Sequence, residues 1–140
     1  MRINIKHFLK TGLLSSIELG DSSDDVISIF GENYLLAKLK PKIEILKYEN
    51  IEFTFRNKVL TMIALSFLNK ANLLLLKEEG IPSKTDKFLA YLDKFDISYK
   101  FVRELTFMNQ LCIETIGKTK VFFDNDSKEL EKMILAKDSI

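Results

Sequence analysis

His7 and Cys112 are the only histidine and the only cysteine in a chain of 140 residues. A Cys–His or Ser–His–Asp arrangement would have to bring distant positions together, and neither residue sits in a local catalytic signature. His7, beside Lys6 and Lys10 on a short amphipathic segment, reads as a solvated or packed side chain rather than a general base. One Cys and one His cannot build a structural zinc site within one chain. Oxygen ligands are available in two acidic groups, Asp21, Asp24, Asp25 and Asp124, Asp126, Glu129. The second superficially resembles a calcium loop, but the required Gly and terminal Glu do not follow at the right spacing. Both groups suit the starts of helices, where carboxylates meet the positive end of the dipole. The five glycines fall into no phosphate-cradling pattern. Lys38, Lys40 and Lys42, or Lys118 and Lys120, could meet phosphates, yet alternating lysines ordinarily mark a solvent face or guard a sheet edge. The expectation is therefore no catalytic set, no cofactor and no metal.

Chemistry suited to binding another protein is easier to find. In Tyr48–Phe67, Ile51, Phe53 and Phe55 alternate with Glu52, Thr54 and Arg56, the period of a strand with one wet face. Tyr48 and Glu49 stand at the entrance of that strand. Tyr48, Glu49, Glu52, Thr54 and Arg56 together offer an aromatic anchor, two carboxylates and a guanidinium, types that supply packing and charge complementarity to a partner. A solvated face carrying a cross-strand Glu–Arg pair is the plainer reading of the same residues.

The elements around this stretch follow from spacing. Arg56-Asn57-Lys58 breaks the pattern as a tight hairpin, and Asn tolerates the left-handed backbone such turns need. Val59, Ile63, Leu65 and Phe67 continue on a second strand whose other face carries Leu60, Met62 and Ala64, so it is expected to be central and covered on both sides. Upstream, Ile3–Leu13 reads as an amphipathic helix ending near Gly12. Ser22 and Asp25 form a capping-box start for a helix with Val26, Ile29 and Phe30 inward, stopping at Gly31. Asn33–Pro41 has no clear assignment, and Ile43–Ile45 reads as the first strand. Downstream, Ala71–Lys77 reads as an apolar strand, Lys84–Phe95 as a helix, and Ile97–Leu105 as an alternating strand. Leu111–Ile116 and Thr119–Phe123 form a hairpin about Gly117-Lys118. Asp124–Ser127 is expected to cap a last helix through Leu130, Met133 and Ile134. The layout is α+β, a mostly antiparallel sheet with helices on at least one face, in a single domain over residues 1–140. Both halves run from helix to strands, without a residue-level repeat.

The totals limit the function classes. With 21 basic and 20 acidic side chains the net charge is +1, which lacks the basic excess of a general nucleic-acid binder and exerts no long-range pull toward an anionic membrane. The longest apolar run, Leu73–Leu76, is too short to span a bilayer. MRINIKHFLKTGLL is too interrupted by polar residues for a secretory signal. A lone cysteine fits a reducing compartment. The expected location is the cytoplasm.

Two pieces carry a family resemblance. One is Ile17–Gly31, of form I-x-L-G-x-S-x-x-x-V-x-x-x-F-G; the other is Lys47–Phe55, K-Y-x-x-I-E-F-x-F, followed by an apolar strand. In this order they resemble small cytoplasmic immunity proteins of bacterial contact-dependent growth inhibition and polymorphic toxin systems, over about the first half of the chain. The resemblance implies a protein that neutralises a cognate toxin domain by tight non-covalent binding, with no enzymatic activity of its own. A non-enzymatic structural or assembly subunit and a small-molecule enzyme remain the alternatives.

Overall fold

A computed structural model describes residues 3–137. Helices α1 (Ile5–Thr11) and α2 (Ser23–Phe30) precede strands β1 (Leu35–Lys40), β2 (Ile43–Lys47), β3 (Glu52–Arg56) and β4 (Val59–Ser66). Helices α3 (Lys70–Glu79) and α4 (Thr85–Lys94) then precede β5 (Tyr99–Phe101), β6 (Gln110–Thr115), β7 (Lys120–Asp124) and β8 (Leu130–Ala136). The strands form one antiparallel sheet in the order β1-β2-β3-β4-β8-β7-β6-β5. The fold is α+β.

This order is a structural duplication. Each half contributes two helices and then a four-stranded meander, and the halves join where their last strands, β4 and β8, pair antiparallel. Equivalent details recur. The residue capping α2, Ser22, bridges Val59 at the start of β4; the residue preceding α4, Lys84, bridges Glu129 just before β8. Phe30 of α2 packs on Phe53 of β3 at 5.1 Å, and Phe88 of α4 packs on Phe123 of β7 at 5.3 Å.

All four helices cover the same face. Ile5, Phe8 and Leu9 of α1, Val26 of α2, Leu76 of α3 and Phe88 and Leu92 of α4 join Phe53, Phe55, Leu60, Ile63, Leu65, Val121, Phe123, Met133 and Leu135 of the strands in one buried cluster. Ile51, Phe53, Phe55, Ile63, Leu65 and Phe67 share that core, as their alternation requires.

The α1 helix has seven residues, too few to persist alone, and the second half of the chain holds it at both ends. The Glu79 carboxylate at the end of α3 accepts from the Ile5 and Lys6 amides at 2.7 and 3.1 Å, and Asn4 Oδ1 accepts from the His7 amide at 2.8 Å. Three of the four donors a helix start leaves open are thereby met. At the other end, the Thr115 hydroxyl and the Gly117 amide donate to Leu9 O at 2.7 and 3.1 Å. This approach needs glycine at 117, because a Cβ there would lie 2.7 Å from Leu9 O. The second half reaches back in turn: Asn69, which caps α3, donates from Nδ2 to Glu49 O, and the buried Asn72 of α3 donates from Nδ2 to Asn50 O and Ser66 O, at 2.8–2.9 Å.

Several elements differ from the sequence reading. Ala71–Lys77 lies in helix α3, not a strand: Asn69 Oδ1 accepts from the Ala71 and Asn72 amides, Gly80 closes the far end in a left-handed conformation, and Leu is a strong helix former. Leu130–Ile134 lies in strand β8, not a last helix, because it completes the ladder between β4 and β7. Ile43–Ile45 is in the second strand; β1 precedes it, with Leu46 buried under the helices and Ile43 and Ile45 on the other face. The strand after Ile97 is confined to Tyr99–Phe101, and Leu105 ends a 3-10 turn, Arg103–Leu105. A bulge in the β3–β4 pairing turns Leu60 inward and leaves Val59 exposed. β4 is central, but helices cover one face of it, not both. The turns fared better. Asn57 and Lys58 take φ of 53° and 66°, the two left-handed positions of a two-residue hairpin, and the Ser22–Asp25 capping box is formed.

Truncation of Phe53 to Ala should cost about 3–5 kcal/mol in equilibrium denaturation; a loss under about 1 kcal/mol would contradict its place in the core. Glu79→Ala should cost about 1–3 kcal/mol, since it strands the Ile5 and Lys6 amides and leaves α1 with the Asn4 cap alone. Urea titration of the folded variant measures this, and an unchanged midpoint would mean that solvent serves α1 equally well.

Candidate protein-binding face

The face turned away from the helices is set by strand register. Because Phe53 and Phe55 face the core, Glu52, Thr54 and Arg56 face the opposite way, alongside Ile43, Ile45 and Lys47 of β2 and Met62, Ala64 and Ser66 of β4. Across the seam, Lys132, Ile134 and Ala136 of β8 continue the same face. At its centre are half-buried small or aliphatic side chains, with charged residues at either end.

Two shallow depressions mark those ends. One, about 710 Å³, is lined by Ile43, Thr54, Val59, Thr61, Met62 and Ala136, with Arg56 and Lys137 as its charged residues. The other, about 430 Å³, carries Glu49, Glu52, Glu131 and Lys132 around Ala64 and Ile134. The face is thus basic beside Arg56, while beside Glu52 three carboxylates are interleaved with Lys132 and with Lys47, which lies opposite Glu52. These two residues are four positions apart on one strand, roughly 13 Å along it. They do not pair with each other. Among the described residues, the ion pairs are Lys38–Glu44, Lys84–Glu129, Lys100–Glu114 and Lys120–Glu114, and none engages Glu52 or Arg56.

Tyr48 is not a free anchor on this face. Its ring packs against Phe30, Tyr34 and Phe53, and its hydroxyl donates to Gly31 O at 2.7 Å. That bond fixes the end of α2, and burial raises the phenol pKa above its ordinary value. Glu49 stays exposed in the adjoining turn, at the Glu52 end. Of the five candidates, Glu52, Thr54 and Arg56 share the open face, Glu49 borders it, and Tyr48 serves the fold.

Of the other side chains considered for chemistry, Asp25, Asp124 and Glu129 serve local structure. His7 is exposed, and its amide takes part in the α1 cap. Asp25 completes the capping box. Asp124 Oδ2 accepts from the Ser127 amide at 3.0 Å, and that turn holds the carboxyl below its usual range. Glu129 pairs with Lys84 at 3.0 Å. Among the described residues no three His, Cys, Asp or Glu side chains are grouped to hold a metal ion, and no helix is long and apolar enough to cross a membrane.

Sequence reasoning missed the far side of the open face. There Cys112 pairs in register with Phe122, and Phe122 with Lys132. Both Cys112 and Phe122 are buried, yet neither belongs to the main core. The Lys132 ammonium sits 4.9 Å above the Phe122 ring, and Glu114 bridges Lys100 and Lys120 beside it at 3.4 and 3.6 Å. Alternation along β6 and β7 was the available signal, but two adjacent phenylalanines at Phe122 and Phe123 concealed it. Compared with known proteins, the chain matches no family model, no curated protein and no solved structure.

Burial pushes the Cys112 thiol up to about 11, against an unfolded value near 8.5. Thiol reagents at pH 8 should therefore label the native protein far more slowly than the urea-unfolded chain. The folded state holds this proton more tightly, so the thiol's contribution to stability is complete below about pH 8.5 and is lost as pH rises toward 11. Rapid labelling of the native protein would show that Cys112 is accessible.

Proposed function

We propose that this protein is an immunity-type inhibitor, which binds a cognate bacterial toxin domain non-covalently through the helix-free face of its sheet and thereby blocks the toxin's active site or its access to substrate. The observation that carries this reading is the open face and its charge pattern. A broad surface with an aliphatic centre, with Arg56 and Lys137 at one end and with Glu49, Glu52 and Glu131 interleaved with Lys47 and Lys132 at the other, suits a partner of complementary charge pattern. Antiparallel sheets with one face packed and the other open leave such a surface available. The resemblance in Ile17–Gly31 and Lys47–Phe55 supports the same function. In this reading the protein works in the cytoplasm of the cell that makes it, as a binder rather than an enzyme, and contacts neither nucleic acid nor membrane.

Glu52, Thr54 and Arg56 carry the contact, with Glu49 at its border. The test uses the C-terminal domain encoded by the upstream neighbouring reading frame. That domain should be toxic when expressed alone and harmless when co-expressed with this chain. Reversing both charges, Glu52→Lys with Arg56→Glu, should weaken binding at least about tenfold, or about 1.4 kcal/mol, and abolish protection. Titration calorimetry on the folded double variant decides it. Unchanged affinity would place the interface elsewhere, and an upstream product without toxicity would remove the immunity reading.

A further inference from the structure

We infer that two copies of this chain pair through β1, antiparallel about a two-fold axis at Ala37, so that their sheets become one. The β1 strand forms one edge of the sheet, and none of its residues joins the buried core. Leu35, Leu36 and Leu39 are 74%, 51% and 63% exposed. Lys38, Lys40 and the bulge between them guard the far end of this six-residue edge strand, but Leu35, Leu36 and Ala37 leave its first half without a charge.

Register identifies which main-chain groups are free. Tyr48 N–H donates to Ile51 O and Asn57 N–H to Lys42 O, both at 2.9 Å. Even-numbered residues of β2 therefore direct their main chain toward β3, and odd-numbered ones toward β1. Leu35 and Ala37 lie opposite Lys47 and Ile45, so their amides and carbonyls are used by β2. Those of Leu36 and Lys38 point out from the edge.

A second copy fits these free groups. With the axis at Ala37, Leu36 of each copy exchanges both hydrogen bonds with Lys38 of the other, and the two Ala37 residues form the close pair between them. Alanine is small enough for that close approach. Leu35 of one copy comes toward Leu39 of the other, which the bulge between Lys38 and Lys40 releases from β2. No two lysines lie directly opposite, and Lys38 already has Glu44 at 3.7 Å. Moving the axis to Lys38 would set lysine against lysine. The surface is self-complementary, as an isologous contact requires.

Assembly stops at two copies because the opposite edge is blunted. The β5 strand has three residues, and the chain turns away directly into Arg103–Leu105, where Thr106 Oγ1 donates back to Val102 O at 2.9 Å. The two-fold axis stands perpendicular to the sheet, so both sets of helices lie on one side and both open faces on the other. The pairing is independent of the toxin-binding reading.

Sedimentation of the purified chain alone, without any toxin domain, tests the pairing. At about 100 μM a two-chain species is expected, and Ala37→Glu, which opposes two carboxylates at the axis, should raise its dissociation constant at least about tenfold. Ala37→Cys should cross-link two chains under mild oxidation, since the close pair sets its Cα atoms about 4.5 Å apart, within disulfide reach. Phe101→Cys, on the other edge, should not. The cross-linking pair keeps the test decisive if Ala37→Glu fails to fold. A single-chain species at that concentration overturns the inference, as do open-ended assemblies or cross-linking through Phe101→Cys rather than Ala37→Cys.

Discussion

The pairing of β4 with β8 is the contact on which the architecture depends. It places Ile63 against Leu135 and Leu65 against Met133 at the centre of the sheet, joining strands that belong to different halves of the chain. The buried residues of both halves form one continuous cluster. Each meander presents one apolar face, and the helices over it are secured partly by the other half. Few contacts are local across this seam, so the two halves are expected to fold as one cooperative unit rather than in succession.

The reciprocal anchoring of α1 and α3 follows from elementary backbone accounting. A helix end buried against a sheet must find partners for its open amides and carbonyls. For α1 these are the Glu79 carboxylate and the Thr115–Gly117 turn; for the start of α3 it is Asn69 Oδ1, which accepts from the Ala71 and Asn72 amides, while the Asn72 side chain donates to the β2–β3 turn. Asn72 is fully buried, and its Oδ1 has no hydrogen-bond partner. An unmet buried acceptor has a cost, and here it accompanies two amide donors that hold the turns beside the Glu52 end of the open face. With the helices tied to one side, the other side of the sheet is left as a helix-free surface with two depressions and charged ends.

Local chemistry alone determined a good part of this fold. The alternation of Ile51–Arg56 fixed which side chains face the core, because a strand has a period of two and a single apolar face. Asn57-Lys58, the Ser22–Asp25 capping box and the Gly12 stop were legible because each depends on only a few neighbouring residues. Glu52, Thr54 and Arg56 could therefore be placed together on one face from sequence. Tertiary structure decided the rest. Leu73–Leu76 suits a helix or a strand, and Leu130–Ile134 became a strand only because β4 and β7 lie on either side of it. The Tyr48 ring was claimed by Phe30, Tyr34 and Phe53, which the chain pattern does not bring together. The duplication is invisible in the residues because its two halves share element order and packing geometry, which many different side chains satisfy.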